Sequence, residues 1–551
     1  MEFNIGLVHE AIAAAVPERE CIVFRDRRLT WADVTERTRR LAHALHDRGL
    51  GCHTERDALE GHESGQDHMA LYLHNGNEYL EGMVGAYKAR VAPFNVNYRY
   101  VADELAYLLD DAGATAIIFH SAFAPTLAEV LPALPRLQVL LQVADDSGNE
   151  LLAGAVDYEE ALAAASPEQP PVAPSPDDLY ILYTGGTTGM PKGVLWRQAD
   201  IFPAALGGMD AATGGEWASY EAIAAGAANG MVFLPAAPFM HGAGHWIGFT
   251  GWHRGNPIAV QSVVDRLDAD DVWSTVEREG VGFLQIVGDA FARPLLQQLD
   301  AKQRAGEAYD LSKLSMILSG GAALSVAAKE DLLEHLPHVM VIDGVGSSEA
   351  GGQMSHISTK ESGASTGSFA PAAGSLVLDE ELTDVLEAGH EGIGWLAKGG
   401  RIPLGYLGDA DKTARTFPTV GGSRYSVPGD RARLREDGIV ELHGRDSVTI
   451  NSGGEKIFAE EVEAAVLRHP DVHDAVVCGR PSEQWGQEVV ALIRLRDGAT
   501  ATAGDIRDTA GEHLARYKIP KVVVFLDEIV RSPAGKADYR WAKATAAEHT
   551  G

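Results

Sequence analysis

One segment of the chain packs phosphate-binding chemistry more densely than any other: Tyr183-Thr184-Gly185-Gly186-Thr187-Thr188-Gly189-Met190-Pro191-Lys192-Gly193. It follows an apolar run, Leu179–Tyr183, that reads as a strand. Glycines permit positive φ and close approach of the backbone, so exposed amides and threonine hydroxyls can wrap a polyphosphate while Lys192 supplies positive charge. The competing use is a flexible Gly/Thr turn. The pattern is not a Walker loop, because no G-x-x-x-x-G-K-[ST] occurs.

Five more motifs follow in order: Leu318-Ser319-Gly320-Gly321-Ala322-Ala323, Asp343-Gly344-Val345-Gly346-Ser347-Ser348-Glu349, Tyr425-Ser426-Val427-Pro428-Gly429-Asp430, Gly444-Arg445 with Ser452-Gly453-Gly454-Glu455-Lys456, and Pro533-Ala534-Gly535-Lys536. Each alone is weak. Together, with the glycine/threonine segment, they resemble the adenylate-forming superfamily of acyl-CoA synthetases, luciferases and peptide-synthetase adenylation domains, over essentially the whole chain. The resemblance implies an α/β protein with a large N-terminal domain of layered α/β subdomains (1–446) and a small mobile α+β C-terminal domain (447–551). It also implies a reaction in which ATP and a small-molecule carboxylic acid form an acyl-adenylate, with Mg2+, before transfer to the co-substrate coenzyme A.

The roles carried over have physical reasons. A carboxylate is a poor electrophile and ATP is polyanionic, so their reaction needs cations and donors where charge crowds in the transition state. Lys536 is expected to supply that charge; a solvated lysine near the C-terminus is the bland alternative. Glu349 suits magnesium, a hard cation that prefers carboxylate oxygens, and Ser348 keeps the hydroxyl of the usual threonine. Thr184, Gly185, Gly186, Thr187, Thr188, Gly189 and Lys192 are expected around the phosphates, and Gly320, Gly321, Ala322 and Gly344 around the adenine. Asp430 can accept from both ribose hydroxyls with Arg445 reinforcing it, against a plain surface pair. Asp343 could accept from the adenine amino group, an Asx-turn being the competing use.

Pro235–Trp246 is apolar, broken by prolines and opened by glycines. In the family this region leads toward the acyl pocket, so His241 is expected beside the carboxylate and the incoming thiol, against the commoner satisfied core histidine. Gly242, Val287, Gly288, Val345 and Gly346 are expected to line the same pocket. Val345 replaces the family's usual aromatic residue and widens that wall, and small residues fit a bulky apolar acid better than acetate. For the second half-reaction the resemblance implies that the C-terminal domain turns about a hinge. Lys536 would then withdraw, and Gly453, Gly454 and Lys456 would approach a pantetheine tunnel. Ser447 stands at the hinge position, where Asp or Lys is more usual.

Two departures stand out: Gly185 replaces a common serine and Met190 a common lysine. The same TGGTTGMPKG form, with LYLHNGNEYLEG, FNVNYRY, SPAGKADYRWAK and the ESGQDH stretch, is similar to an actinobacterial branch acting on fatty, steroid-side-chain and related polycyclic acids. Full two-step activity is therefore expected, on a bulky hydrophobic acid of the long-chain fatty, steroid-side-chain or terpenoid class. Three alternatives stay open: an enzyme that only makes the thioester from a preformed adenylate, a ligase loading a carrier protein in trans, and a non-catalytic nucleotide-binding scaffold.

The elements that must position these residues alternate Val/Ile/Leu-rich runs with Ala-rich helical patterns. Strands are expected at 22–24, 69–72, 116–119, 179–183, 438–443, 475–478 and 489–495, and helices at 30–48, 101–111 and 460–469. The stretch 51–68, with His53, His62 and His68, reads as a solvated surface insertion. Ser166–Asp178 reads as a Pro-rich linker. A net charge of −32 excludes nucleic acid and anionic membrane as partners. No run reaches the length of a membrane span and the N-terminus carries no secretory pattern, so a cytoplasmic enzyme is expected. Cys21, Cys52 and Cys478 are too scattered for a disulfide framework. The identity of the acid and the oligomeric state, a homodimer included, are left open.

Overall fold

The structure, a computed structural model, describes residues 1–549 apart from 185–189, 228–229, 453–454, 483–485 and 532–534, and describes only the backbone at 447, 451, 455, 456 and 486.

Two sheets carry the parallel strands of the large domain. In the first, Ala92–Asn95, His68–Tyr72, Ala114–His120, Val139–Val143 and Val156–Asp157 lie side by side, all parallel. All five residues of His68–Tyr72 are buried, as expected of a strand covered on both faces. In the second, Glu20–Phe24, Ile258–Val260, Val232–Pro235, Val281–Ile286, Met316–Gly320 and Met340–Ser347 run parallel. This sheet then turns antiparallel through Gly351–Ser358 and Ser368–Pro371 into a smaller lobe built on Val440–Arg445, Asp430–Leu434 and Gly394–Gly399. Helices fill the layers between. The helix Trp31–His46 starts at a capping box between Thr30 and Asp33 and buries Val34, Thr38, Leu41 and Leu45 along one stripe. It packs on the helix Asn77–Lys88, where a Cβ on Gly85 would lie 2.6 Å from Leu41 Cδ2, so only glycine allows the approach.

The parallel register determines where a site can form. Ligands of open α/β sheets bind outside the carboxyl ends of the strands. Those ends deliver, side by side, the loop 236–241 after Pro235, Val287–Gly288 after Ile286, Gly320–Gly321, and Ser347–Glu349. A third, antiparallel sheet adds the hairpin Leu179–Thr184 and Lys192–Arg197, in which Thr184 pairs with Lys192, and the short strand Gly405–Tyr406.

The small C-terminal unit has its own sheet of Ile450–Ser452, Glu455–Ile457, Gly486–Leu495, Val472–Ser482 and Val522–Phe525. Its helix Ala459–Val466 packs into a separate core with Ile450, Val477, Val489, Ala491 and Ile506. The chain passes from the large sheet to the small one over a single turn of 3₁₀ helix, Asp446–Val448. No helix among the described residues is long and apolar enough to cross a membrane.

The architecture is the expected mixed α/β one, and three local readings need correction. The helix expected over 460–469 ends at Val466. The strand expected over 438–443 is Val440–Arg445, because Gly438 adopts a φ of +79° in the preceding turn. The stretch 51–68 is not uniformly solvated: His68 is buried at the head of its strand, with Nδ1 2.5 Å from the Ala112 carbonyl and Nε2 2.7 Å from Ser64 Oγ. Cys21 and Cys478 are buried thiols and Cys52 is half-buried.

Gly288 holds a φ of +52°, and a Cβ there would lie 2.4 Å from the Ala323 carbonyl oxygen. Gly288→Ala is predicted to cost about 1–3 kcal/mol of stability from backbone strain, read as a lowered urea midpoint at unchanged slope.

Candidate active site

The strand-end loops converge because small residues let them. The peptide N–H of Gly288 donates to Ser319 Oγ at 3.0 Å, and a Cβ on Gly321 (φ +91°) would lie 3.6 Å from Ala243 Cβ and 3.8 Å from Val287 Cγ1. Gly320–Ala322, Val287–Gly288 and the start of the helix Gly242–Trp252 therefore line one crevice. Gly346 belongs to the same tight packing, since a Cβ there would lie 2.4 Å from the Gly351 carbonyl oxygen. Val345 is half-buried and packs on the small core of Met354, Phe369, Val377 and Leu396.

His241 caps that helix from an extended backbone conformation. Its Nε2 is sealed from solvent without a hydrogen-bond partner. Burial first, then the charge of Lys536, pushes its pKa down to about 3, so the imidazole is neutral. The neighbouring His245 is the satisfied core histidine of the pair: Nδ1 lies 2.7 Å from the Phe239 carbonyl and Nε2 2.5 Å from Tyr180 Oη.

Ser348 and Glu349 are held by their backbones. Trp196 Nε1 donates to the Ser348 carbonyl at 2.9 Å, and Ser426 Oγ to the Glu349 carbonyl at 2.5 Å. Glu349 Oε1 accepts from Tyr406 Oη at 2.8 Å. Asp430 and Arg445 are cross-strand partners. Their side chains pair at 3.2 Å, and Asp430, foremost, holds the Arg445 guanidinium above its ordinary range. Asp343 lies within the strand Met340–Ser347, so it forms no Asx-turn. Its Oδ2 instead takes 2.8 Å from Lys329 Nζ. Lys329 is fully buried and also donates to the Ser365 carbonyl at 2.6 Å. Burial pushes Asp343 up while the Lys329 ammonium works against it.

At the other end, Lys192 Nζ lies 2.9 Å from Asp111 Oδ1, and Tyr183 Oη donates to Asp111 Oδ2 at 2.9 Å. This bond to Asp111 raises the Lys192 pKa. The loop residues Gly185, Gly186, Thr187, Thr188 and Gly189, and Gly453 and Gly454, lie outside the described residues, as do the side chains of Ser447 and Lys456. Thr184 closes its strand at the mouth of that loop.

Lys536 comes from the C-terminal unit. The preceding Gly535 (φ +73°) sits on the N-terminal domain so closely that a Cβ would lie 2.9 Å from Ala290 Cβ and 3.6 Å from Val287 Cγ1. That contact brings Lys536 into the crevice. Its side chain keeps surface open to the cleft, yet protein crowds it from both domains. Burial lowers its pKa, with Arg445 adding to the effect and Glu349 and Asp430 opposing it. His241, Glu349, Asp430, Arg445 and Lys536 thus share one electrostatic environment.

Other contributors carry no motif. Asp111, Lys329 and Tyr406 lie in ordinary helix or strand patterns, and their partners are 81, 14 and 57 residues away. Lys412, 4.0 Å above the Tyr406 ring, is also within the electrostatic reach of Glu349 and Lys192.

A crevice of glycine-rich strand-end loops, covered by a small unit that contributes one lysine, defines a two-domain nucleotide-activating architecture. The chain belongs to the AMP-binding enzyme family: the model of that family matches residues 9–407, and the model of the AMP-binding enzyme C-terminal domain matches 461–536. It is 56% identical over 548 residues, covering 99% of this chain and 98% of the relative, to the medium-chain acyl-CoA ligase Mig of Mycobacterium avium. It is 40% identical over 555 residues, 98% and 96% of the two chains, to the 3-oxocholest-4-en-26-oate–CoA ligase of Rhodococcus rhodochrous. Among solved structures, the anthranilate CoA ligase AuaEII in complex with anthranoyl-AMP shares the fold, with a TM-score of 0.81 at 21% identity over 99% of this chain and 98% of that one.

The Lys329–Asp343 pair gives a direct test of the packing. Lys329→Met leaves a buried carboxylate uncompensated and is predicted to cost about 3–5 kcal/mol. Lys329→Met with Asp343→Leu should recover most of that loss in the same urea titration.

Proposed function

We propose that the protein is an AMP-forming acyl-CoA ligase that activates a bulky hydrophobic carboxylic acid, of the medium-chain fatty or steroid-side-chain class, and transfers it to coenzyme A. The observation that carries the reading is the meeting of Lys536, delivered by the C-terminal unit, with His241, Glu349, Asp430 and Arg445 in one crevice at the carboxyl ends of the strands. The named activities of the relatives at 56% and 40% identity support the same reaction class.

In this reading the adenine lies by Gly320–Ala322 and Gly344, its amino group donating to Asp343. The ribose hydroxyls donate to Asp430, which Arg445 orients, and Thr184, Lys192 and the loop 185–189 hold the phosphates. The acid's carboxylate sits between His241 and Lys536, its apolar tail running past Gly242, Val287, Gly288 and Gly346, with the wall beside Val345 opened by that small side chain. A neutral His241 adds no charge there, and its buried Nε2 has no hydrogen-bond partner among the described residues. Lys536 offsets the negative charge that gathers as the carboxylate oxygen attacks the α-phosphorus and pyrophosphate leaves. The Ser348 hydroxyl donates to an α-phosphate oxygen.

Glu349 fits a magnesium ion: it is a hard oxygen donor, one of whose carboxylate oxygens is held by Tyr406. When bound, that ion would neutralise phosphate charge. For thiol transfer the C-terminal unit pivots at Ser447, taking Lys536 out and bringing Gly453, Gly454 and Lys456 toward the acyl-adenylate.

Lys536→Ala is predicted to slow AMP formation from ATP and acid by on the order of 10²–10³. Thioester formation from synthetic acyl-adenylate should stay near the parent rate. Equal AMP formation by variant and parent would overturn the assignment. A panel of acetate, medium- and long-chain fatty acids and steroid and diterpenoid acids, read as AMP and thioester together, tests the substrate class; a preference for acetate would refute it.

A further inference from the structure

The interface that delivers Lys536 contains a carboxyl group with an unusual seat. Glu460 is the second residue of the helix Ala459–Val466, on the C-terminal unit. Its side chain reaches back across the junction to the last residues of the N-terminal domain. Oε1 accepts from the Arg445 peptide N–H at 3.4 Å. Oε2 is sealed from solvent without a partner, and lies 2.5 Å from where a Cβ on Gly444 would be. Gly444, at φ +123°, is therefore both the conformation and the space that this carboxyl needs. The chain between Arg445 and Glu460 joins the two units, so this contact spans the junction about which one unit would turn against the other.

We infer that the Glu460 carboxyl, seated on Gly444 and the Arg445 amide, is a positioning residue that holds the C-terminal unit in the orientation where Lys536 enters the crevice, and thereby favours adenylate formation over thiol transfer. The inference rests on the ligase reading above, in which the two half-reactions use different orientations. Glu460 touches no reacting atom in either.

The electrostatics make the contact sensitive to protonation. The groups facing Glu460 are Asp430 and Arg445 on the two adjoining strands, Glu463 one turn along its own helix, and Tyr539 on the last helix. Burial, helped by the Asp430 charge and opposed by the Arg445 peptide N–H and guanidinium, pushes the pKa of Glu460 up to about 7. Swung into solvent, the same carboxyl returns to an ordinary value of about 4.3. The docked orientation thus binds the proton more tightly. Docking is favoured at low pH, weakens as pH rises from about 4.3 to about 7, and is flat well above that. Between pH 6 and 8 this linkage amounts to about a tenfold fall in the docking equilibrium.

The test measures the two half-reactions separately from pH 6 to 8: AMP formation from ATP and acid, and thioester formation from synthetic acyl-adenylate and coenzyme A. In the parent protein the ratio of the first to the second should fall by about tenfold across that range. Glu460→Gln, a neutral isostere, should flatten the fall to less than about twofold. Glu460→Ala should lower AMP formation at pH 6 by about tenfold and leave the thioester step within about twofold. A parent-like pH slope in Glu460→Gln, or equal loss of both half-reactions in Glu460→Ala, would overturn the inference. Hydrogen exchange over 442–448, corrected for its intrinsic pH dependence, reads docking without any substrate. Protection that fades with rising pH in the parent but not in Glu460→Gln supports the latch even if no AMP is made, in which case the ligase reading alone fails.

Discussion

The structure depends on placing one ammonium group where two domains meet. Lys536 is desolvated by protein from both sides, repelled by Arg445 and attracted by Glu349 and Asp430. Neither domain makes that environment alone. The large domain provides carboxylates and a neutral histidine at the ends of parallel strands; the small domain provides the lysine on a glycine turn that presses against Val287 and Ala290. A cation whose charged partners lie on another body feels them only while the bodies are docked. In this arrangement the position of the charge and the orientation of the domain are the same variable.

This explains why so many site positions are glycine or another small residue. The strand ends must approach within van der Waals contact to leave one crevice, and at Gly288, Gly321 and Gly535 the backbone is also in the positive-φ region. Polar side chains are then few and individually tethered: Ser348 and Glu349 through backbone carbonyls, Arg445 through Asp430, Lys192 through Asp111. Tethering lowers the reorganisation needed when charge develops, which is where electrostatic catalysis gains its advantage. His241 is the exception. Its ring nitrogen is buried and unpartnered, a cost of roughly 1–3 kcal/mol that a hydrogen bond from or to a bound acid or thiol would remove.

Much of this was legible in the chain. Periodicity located the buried parallel strands because their apolar runs are continuous, and helical spacing over 30–48 located the helix Trp31–His46. The ordered motifs singled out Lys536, Glu349, Asp430 and Arg445, which the fold sets within electrostatic reach of one another, because each sits in a short glycine- or serine-rich signature. What stayed hidden were the partners. Lys329 reads as the polar face of an amphipathic helix, yet it is buried because the loop carrying Ser365 closes over it. Asp111 ends a helix with the charge pattern of a solvated face, yet two tyrosines and Lys192 converge on it. Glu460 looks like one more acid in an acidic first turn, where the helix dipole would favour it ionised. Only the fold sets it against Gly444 and Asp430, which act in the opposite direction. Pairings between distant segments have no local period, so no reading of spacing could reveal them.

The overall charge of −32 is a poor guide to what the crevice attracts. A polyanion such as ATP responds to the field where it binds, and low-dielectric walls focus that field. Lys192, Lys412, Arg445 and Lys536 gather around the crevice against Asp111, Glu349 and Asp430. Two of these carboxylates, Asp111 and Asp430, are spent on orienting a neighbouring cation. The Lys412 ammonium rests on the Tyr406 ring, whose hydroxyl holds Glu349, so one tyrosine positions a cation and a carboxylate together. The strongly acidic remainder then acts at a distance, repelling polyanions and anionic surfaces, while the local cations set the field inside the crevice.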